Sequence, residues 1–130
     1  MIGLLFRVRV EVRVHGEHVE LRCTGKYSRS EAFRVGGLAF SEAAAAGRRS
    51  ALIDVRGVTG SIPTILDRFD MGVHIASLHL EQKPRVRLAL LGHEPMIHPE
   101  RFGEIVARNR GADARVFTIE AQALDWLTAA

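Results

Sequence analysis

From Leu4 to Val14 the even positions are apolar (Leu4, Phe6, Val8, Val10, Val12, Val14) and the odd ones mostly charged. A period of two is the mark of a strand with one wet face. His15-Gly16-Glu17 predicts a tight turn, and the alternation resumes at Val19, Leu21 and Cys23. The chain therefore opens on a β-hairpin, which Gly25 ends. The period then lengthens. Ser28 with Glu31 fits a capping box, and Phe33, Gly37, Phe40 and Ala44 follow at helical spacing up to a stop at Gly47. Gly36-Gly37 should weaken this helix unless it lets the backbone pack closely on the sheet, which is the expected reason for the pair.

The remainder alternates short apolar runs with helical stripes. Ala51 to Val55 reads as a buried strand, followed by a glycine turn at Arg56-Gly57-Val58-Thr59-Gly60-Ser61. Ile62, Ile65, Leu66, Phe69, Val73 and Ala76 then form a helical stripe with Pro63 in the first turn, where a missing N–H is harmless. Val86 to Leu91 is a second buried strand. Pro99 opens a helix with Phe102, Ile105 and Val106 inward, closed by Asn109-Arg110-Gly111. Arg115 to Phe117 is a third strand, and Thr118 is placed to cap a last helix that buries Leu124 and Leu127. The order ββαβαβαβα predicts a single-layer, mixed, mostly parallel α/β sheet with helices packed on it, in one domain over residues 1–130.

Composition narrows the class. The 130 residues are 47% hydrophobic and 25% charged, ordinary for a globular chain long enough to need no staples. The lone Cys23 excludes an internal disulfide and suits a buried thiol in a reducing, cytoplasmic setting. The opening apolar stretch is too short for a signal peptide, and no run is long enough to span a membrane. The net charge of +3 divides into +4 over residues 1–50, with nine basic and five acidic side chains, and −1 over residues 51–130, with nine basic and ten acidic. Arg7, Arg9 and Arg13 share a strand face, but Glu11 interrupts them and no aromatic accompanies them, so nucleic acid is not the expected partner.

Chemistry, if present, is expected at the carboxyl ends of the parallel strands. Three loops meet there: Arg56 to Ser61, Gly92-His93-Glu94-Pro95 on to His98, and Thr118. Gly57 and Gly60 match no phosphate-loop or dinucleotide pattern, so the turn is read as shaped by those glycines, with Thr59 or Ser61 capping the next helix. A helix start attracts anions, and Ser61, Thr64 or Thr118 could be modified there. His93 and His98 are five apart across Pro95, and His74 and His79 are five apart on one helix. Neither pair has zinc-site spacing, and the second is expected to be solvent-facing or interfacial. Asp54 ends a strand near the crevice, where it would either act as an acid or base or pair with Arg56 or Arg87. An enzyme would need Asp54, Ser61 and His93 to converge. No metal or cofactor is implied.

The element order and the tail VARNRGADARVFTIEAQALDWLTA resemble the STAS-like family, small bacterial proteins related to sporulation anti-sigma-factor antagonists. Arg108-Asn109-Arg110-Gly111, Val116-Phe117-Thr118, Ala123-Leu124 and Trp126-Leu127 carry the resemblance. It implies a non-enzymatic regulatory module of the bacterial cytoplasm that docks a regulatory protein through residues 56–66, with a homodimer compatible. The expected surface is Arg56, Gly57, Thr59, Gly60, Ser61, Thr64, His93 and Thr118, with Ser61 and Thr64 as phosphorylation candidates. Phosphorylatable antagonists open that helix with Asp-Ser-Ser-Gly, where this chain has Ile62-Pro63-Thr64-Ile65, and only Thr64 keeps a hydroxyl. A second implied class is a carrier of a small apolar or anionic ligand, using the strand-end crevice or a pocket beneath the helices.

Overall fold

The structure, a computed structural model, describes residues 7–129, so Leu4 and Phe6 lie outside the described residues. Its elements are β1 (Arg9–Val14), β2 (Val19–Lys26), α1 (Arg29–Ala46), β3 (Ser50–Thr59), α2 (Ile65–Glu81), β4 (Arg87–Leu91), α3 (Phe102–Asn109), β5 (Ala114–Phe117) and α4 (Glu120–Thr128). The expected order is therefore observed. One five-stranded sheet runs β1-β2-β3-β4-β5, with β1 antiparallel to β2 and every other neighbouring pair parallel. Crossovers that step in one direction with one handedness put their connecting helices on one face. Accordingly α1, α2 and α3 cover a core of Leu21, Cys23, Ala39, Phe40, Ile53 and Ile75. The other face is covered by α4, which sets Ala123 and Leu127 on Leu52, Ala89 and Leu91.

Several boundaries differ from expectation. The strand predicted to end at Val55 continues to Thr59, because β2 runs on beside it and pairs Thr24 with Gly57, Gly25 with Val58 and Lys26 with Thr59. The glycine turn thus begins only at Gly60, whose φ of 95° lies in the left-handed region that glycine tolerates. Pro63 precedes the α2 cap instead of lying in the first helical turn.

The capping box expected at α1 is half formed. Ser28 Oγ accepts from Glu31 N at 3.3 Å, but the Glu31 carboxylate turns to β1, accepting from Val8 N at 2.6 Å and from Arg34 Nε at 2.9 Å. Arg34 Nη2 donates to Val8 O at 2.7 Å, so the pair satisfies both backbone groups of Val8. The buried line of α1 is Val35, Gly36, Ala39, Phe40 and Ala43, one step around from the predicted stripe. The expected close packing on the sheet is not found: Gly36 packs against Ile75 of α2, and Gly37 faces open space.

Candidate functional site

Helix α2 does not bury the stripe its sequence suggests. Its inward line is Gly72, Ile75, Ala76 and His79, set against α1 and α3. Gly72 is where α3 comes nearest: a Cβ there would lie 2.8 Å from Gly103 O and from Val106. The larger residues Ile65, Leu66, Phe69 and Val73 face outward with Ile62 ahead of them and Leu80 behind, and Leu66 is 65% exposed. Within α2, spacings of three, four and seven from Leu66 to Leu80, with Ile65 four before Phe69, place them along one side, and Ile62 lies just ahead of the Thr64 cap. Beside this stripe, just past the end of α3, the Arg110 guanidinium lies 5.2 Å from the Phe69 ring centre. Ala76 is the one predicted stripe residue that is buried, and Ile105 is exposed where it was expected inward.

The start of α2 is tightly tied. Thr64 is the N-cap, in place of Thr59 or Ser61, because Thr59 is still in the strand and its carbonyl accepts from Tyr27 N at 2.8 Å. Thr64 Oγ1 accepts from Asp67 N at 3.0 Å, and Thr64 N donates to Asp67 Oδ2 at 3.2 Å, a complete capping box. Tyr27 OH donates to the same carboxylate at 3.0 Å, and Arg29 reaches both Asp67 and Asp70. The bonds from the Thr64 backbone, helped by Tyr27, hold the Asp67 carboxyl below its ordinary range. Burial and the Asp67 bond push the Tyr27 phenol up to about 12. Ser61 is exposed in the turn, and its hydroxyl makes no hydrogen bond among the described residues.

The other expected site residues do not join this surface. Successive strand residues point to opposite faces, which puts Arg56 on the α4 side of the sheet. There Asp54, 3% exposed, accepts from Arg56 N, Nε and Nη2 at 3.0, 3.0 and 2.8 Å. Burial opposes ionisation of Asp54, but these bonds outweigh it and hold the carboxyl below its usual range. Asp54 is thus the clamped partner of Arg56, and Arg87 pairs with Asp113. Arg56 also reaches Glu120 at 3.2 Å, and the carboxylates of Glu20, Asp54 and Glu120 offer oxygens within 4.8 Å of one another. This cluster was not evident in the sequence, because three separate elements supply it. His15 and Arg22 bond Glu20 as Arg56 bonds Asp54 and Glu120, so each carboxylate already has a partner within the chain.

Thr118 does not cap α4. The N-cap is Ile119, without a side-chain bond, and Thr118 lies one residue outside it. His93 is exposed in the loop after β4, and His98 Nδ1 accepts from Glu100 N at 3.1 Å. His79 is buried, neither solvent-facing nor interfacial, with Nδ1 3.2 Å from Val86 O, while His74 stacks on Phe33 at 4.5 Å. No reversal of order interrupts β2-β3-β4-β5, so the strand ends form no switch-point crevice of the doubly wound kind. An apolar space lies instead beneath the helices. A cavity of about 210 Å³ lies between α1, α2, α3 and the sheet, lined by apolar residues that include Val35, Ile53, Met71, Ile75, Leu90 and Ile97.

No protein-family model and no curated protein sequence matches the chain. Solved structures do. An anti-sigma factor antagonist from Mycobacterium paratuberculosis superposes with a TM-score of 0.59 over 92% of this chain and 93% of its own, at 12% identity. An uncharacterized protein of the DUF3478 family with a SpoIIAA-like fold, from Shewanella loihica, gives a TM-score of 0.50 over 93% of each chain, at 20% identity. In architecture, with its antiparallel first strand, its parallel run and its three helices on one face, this chain has the STAS-like fold of SpoIIAA and the anti-sigma factor antagonists.

Proposed function

We propose that the chain is a non-enzymatic regulatory module of the bacterial cytoplasm that docks a protein partner on the outer face of α2. The surface begins at the Gly60–Thr64 turn and continues along the helix to Leu80. The observation that carries this reading is the exposed line Ile65, Leu66, Phe69, Val73 and Leu80 on a helix whose other side is already packed, with exposed Ile62 just ahead of its cap. Scattered exposed apolar residues need no explanation, but a contiguous line of them marks an interaction surface. Phe69 and Leu66 would be the anchors, and Arg110 part of the polar rim. The anti-sigma factor antagonist among the similar folds supports a regulatory class.

Ser61, beside the stripe with its hydroxyl unengaged, is the better phosphorylation candidate. The Thr64 hydroxyl already serves as the helix cap. A phosphate on Ser61 would set two negative charges at the edge of an apolar contact and weaken it.

The test is affinity capture from native lysate with the natural chain, a Leu66→Glu chain and a Glu42→Lys control on α1. The reading expects a partner that the natural and control chains retain and that the Leu66→Glu chain loses. A partner captured equally by all three would contradict it.

The cavity favours a second reading, the carriage of a small apolar ligand. Its 210 Å³ exceeds the roughly 150 Å³ that accommodates benzene in an engineered protein core, but is below the usual range of about 300–1,000 Å³ for ligand pockets. Native mass spectrometry of the freshly purified chain tests this directly. A retained small-molecule adduct that an Ala107→Phe substitution abolishes supports carriage, and an adduct-free spectrum argues against it.

A further inference from the structure

Strand β1 is the outer strand of the sheet, and among the described residues only β2 pairs with it. It is six residues long, with Glu11 and Arg13 exposed on one face and Val12 and Val14 exposed on the other, Val14 by 55%. An outer strand presents unpaired N–H and C=O groups and so templates further pairing unless its side chains forbid it. Here they select one way of pairing. Antiparallel copies of the strand can meet with Val12 opposite Val12, which sets Val10 opposite Val14 and Glu11 opposite Arg13. Sliding by one pair sets Arg9 opposite Arg13 and Glu11 opposite Glu11, and sliding by two sets Arg9 opposite Glu11 but Arg7 opposite Arg13 and leaves only three residues of the strand paired. Like charges directly opposite are destabilising, whereas opposite charges and β-branched pairs stabilise. The β1–β2 ladder already follows this rule, with Glu11 opposite Arg22 and Arg13 opposite Glu20.

We propose that β1 is a homodimerisation edge, on which a second copy of this chain pairs antiparallel about Val12 to make one continuous ten-stranded sheet. Glu11 then faces Arg13 of the partner subunit, and its Arg13 faces Glu11 of the partner subunit. The charge pattern of β2 continues unbroken across the two-fold axis. Among the described residues the one ion pair that Glu11 and Arg13 make is with each other, at 2.7 Å along the same strand, with both side chains about half exposed. On the opposite face, Val12 meets Val12 of the partner subunit and Val14 meets Val10 of the partner subunit, which covers the apolar side chains that α1 leaves open. A contact of one strand belongs to the small interface class, so the dimer dissociates in the micromolar range. The α2 surface plays no part in it.

The experiment is sedimentation equilibrium on the natural chain, on Glu11→Arg and Arg13→Glu chains singly, and on an equimolar mixture of the two variants. The natural chain is expected to dimerise. Each variant alone faces two like-charged pairs and should self-associate about tenfold more weakly or worse. The mixture should restore the dimer, because every pair is opposite again. A second readout does not depend on those charges. Opposed residues in a ladder have Cα atoms about 4.5–5.5 Å apart, within disulfide reach, so a Val12→Cys chain should cross-link to itself on mild oxidation. A Val14→Cys chain should not, because its counterparts would sit about 13 Å apart along the strand. A Leu66→Glu chain should dimerise like the natural one. A natural chain that stays monomeric at high micromolar concentration overturns the proposal. So does a dimer that persists in both single variants and fails to cross-link through position 12.

Discussion

Thr64 and Ser61 are three residues apart and do different work. The Thr64 hydroxyl accepts the Asp67 N–H, and Asp67 returns a bond to the Thr64 backbone, whereas Ser61 lies free in the turn. Thr64→Ala is therefore expected to cost about 1 kcal/mol in a urea titration, and Ser61→Ala to stay within about 0.5 kcal/mol of the natural chain. Sequence made both hydroxyls visible but not which one capped, because that depends on how far β3 continues. The extra residues of β3 are held by β2, a partner more than 30 residues earlier in the chain. Asp54 makes a second prediction at this scale. Its folded carboxyl titrates below the ordinary 3.8, so its contribution is present above that value and is lost as pH falls through the lower folded one. Asp54→Asn should cost about 2 kcal/mol at neutral pH and flatten the decline in stability below about pH 4. Thermal melts across pH 2–7 check both.

Among the elements, α2 is the least legible in sequence and the most informative in structure. It is apolar on two sides, and its larger side chains lie on the side that is not buried. A reading that assigns the bulkiest stripe to the core puts the helix the wrong way round, because hydrophobic size does not reveal that Gly72 must face Gly103 and Val106. The visible signal was a surplus: more apolar residues than one face can bury. The glycines now separate by role. Gly72→Ala would force a Cβ against the α3 backbone and should destabilise by about 1–3 kcal/mol. Gly37→Ala meets nothing within 4 Å in a helix interior and should stabilise by about 0.5–1 kcal/mol. Paired denaturant titrations decide this.

For the molecule as a whole, the ββαβαβαβα order could be read from periodicity because strands and helices here differ clearly in their apolar spacing. Which face each helix covers could not be read so directly, and α4 alone on the far face follows only once the strand order is known. The site suffered more than the fold. The expected set of Arg56, Ser61, Thr64, His93 and Thr118 divides between two faces of the sheet and an outlying loop, since adjacent positions at a strand end diverge. The part that remains coherent is the Ser61–Thr64 turn continued by the α2 stripe, so the central claim is that this helix face binds a protein. Site-specific photo-cross-linking in the native host tests it most directly, with the photoreactive residue placed at Leu66 and, as a control, at half-buried Glu42 on α1. The account predicts a protein adduct of defined mass from position 66 and none from position 42. The same adducts from both positions, or none from position 66 while the chain remains folded, would contradict it.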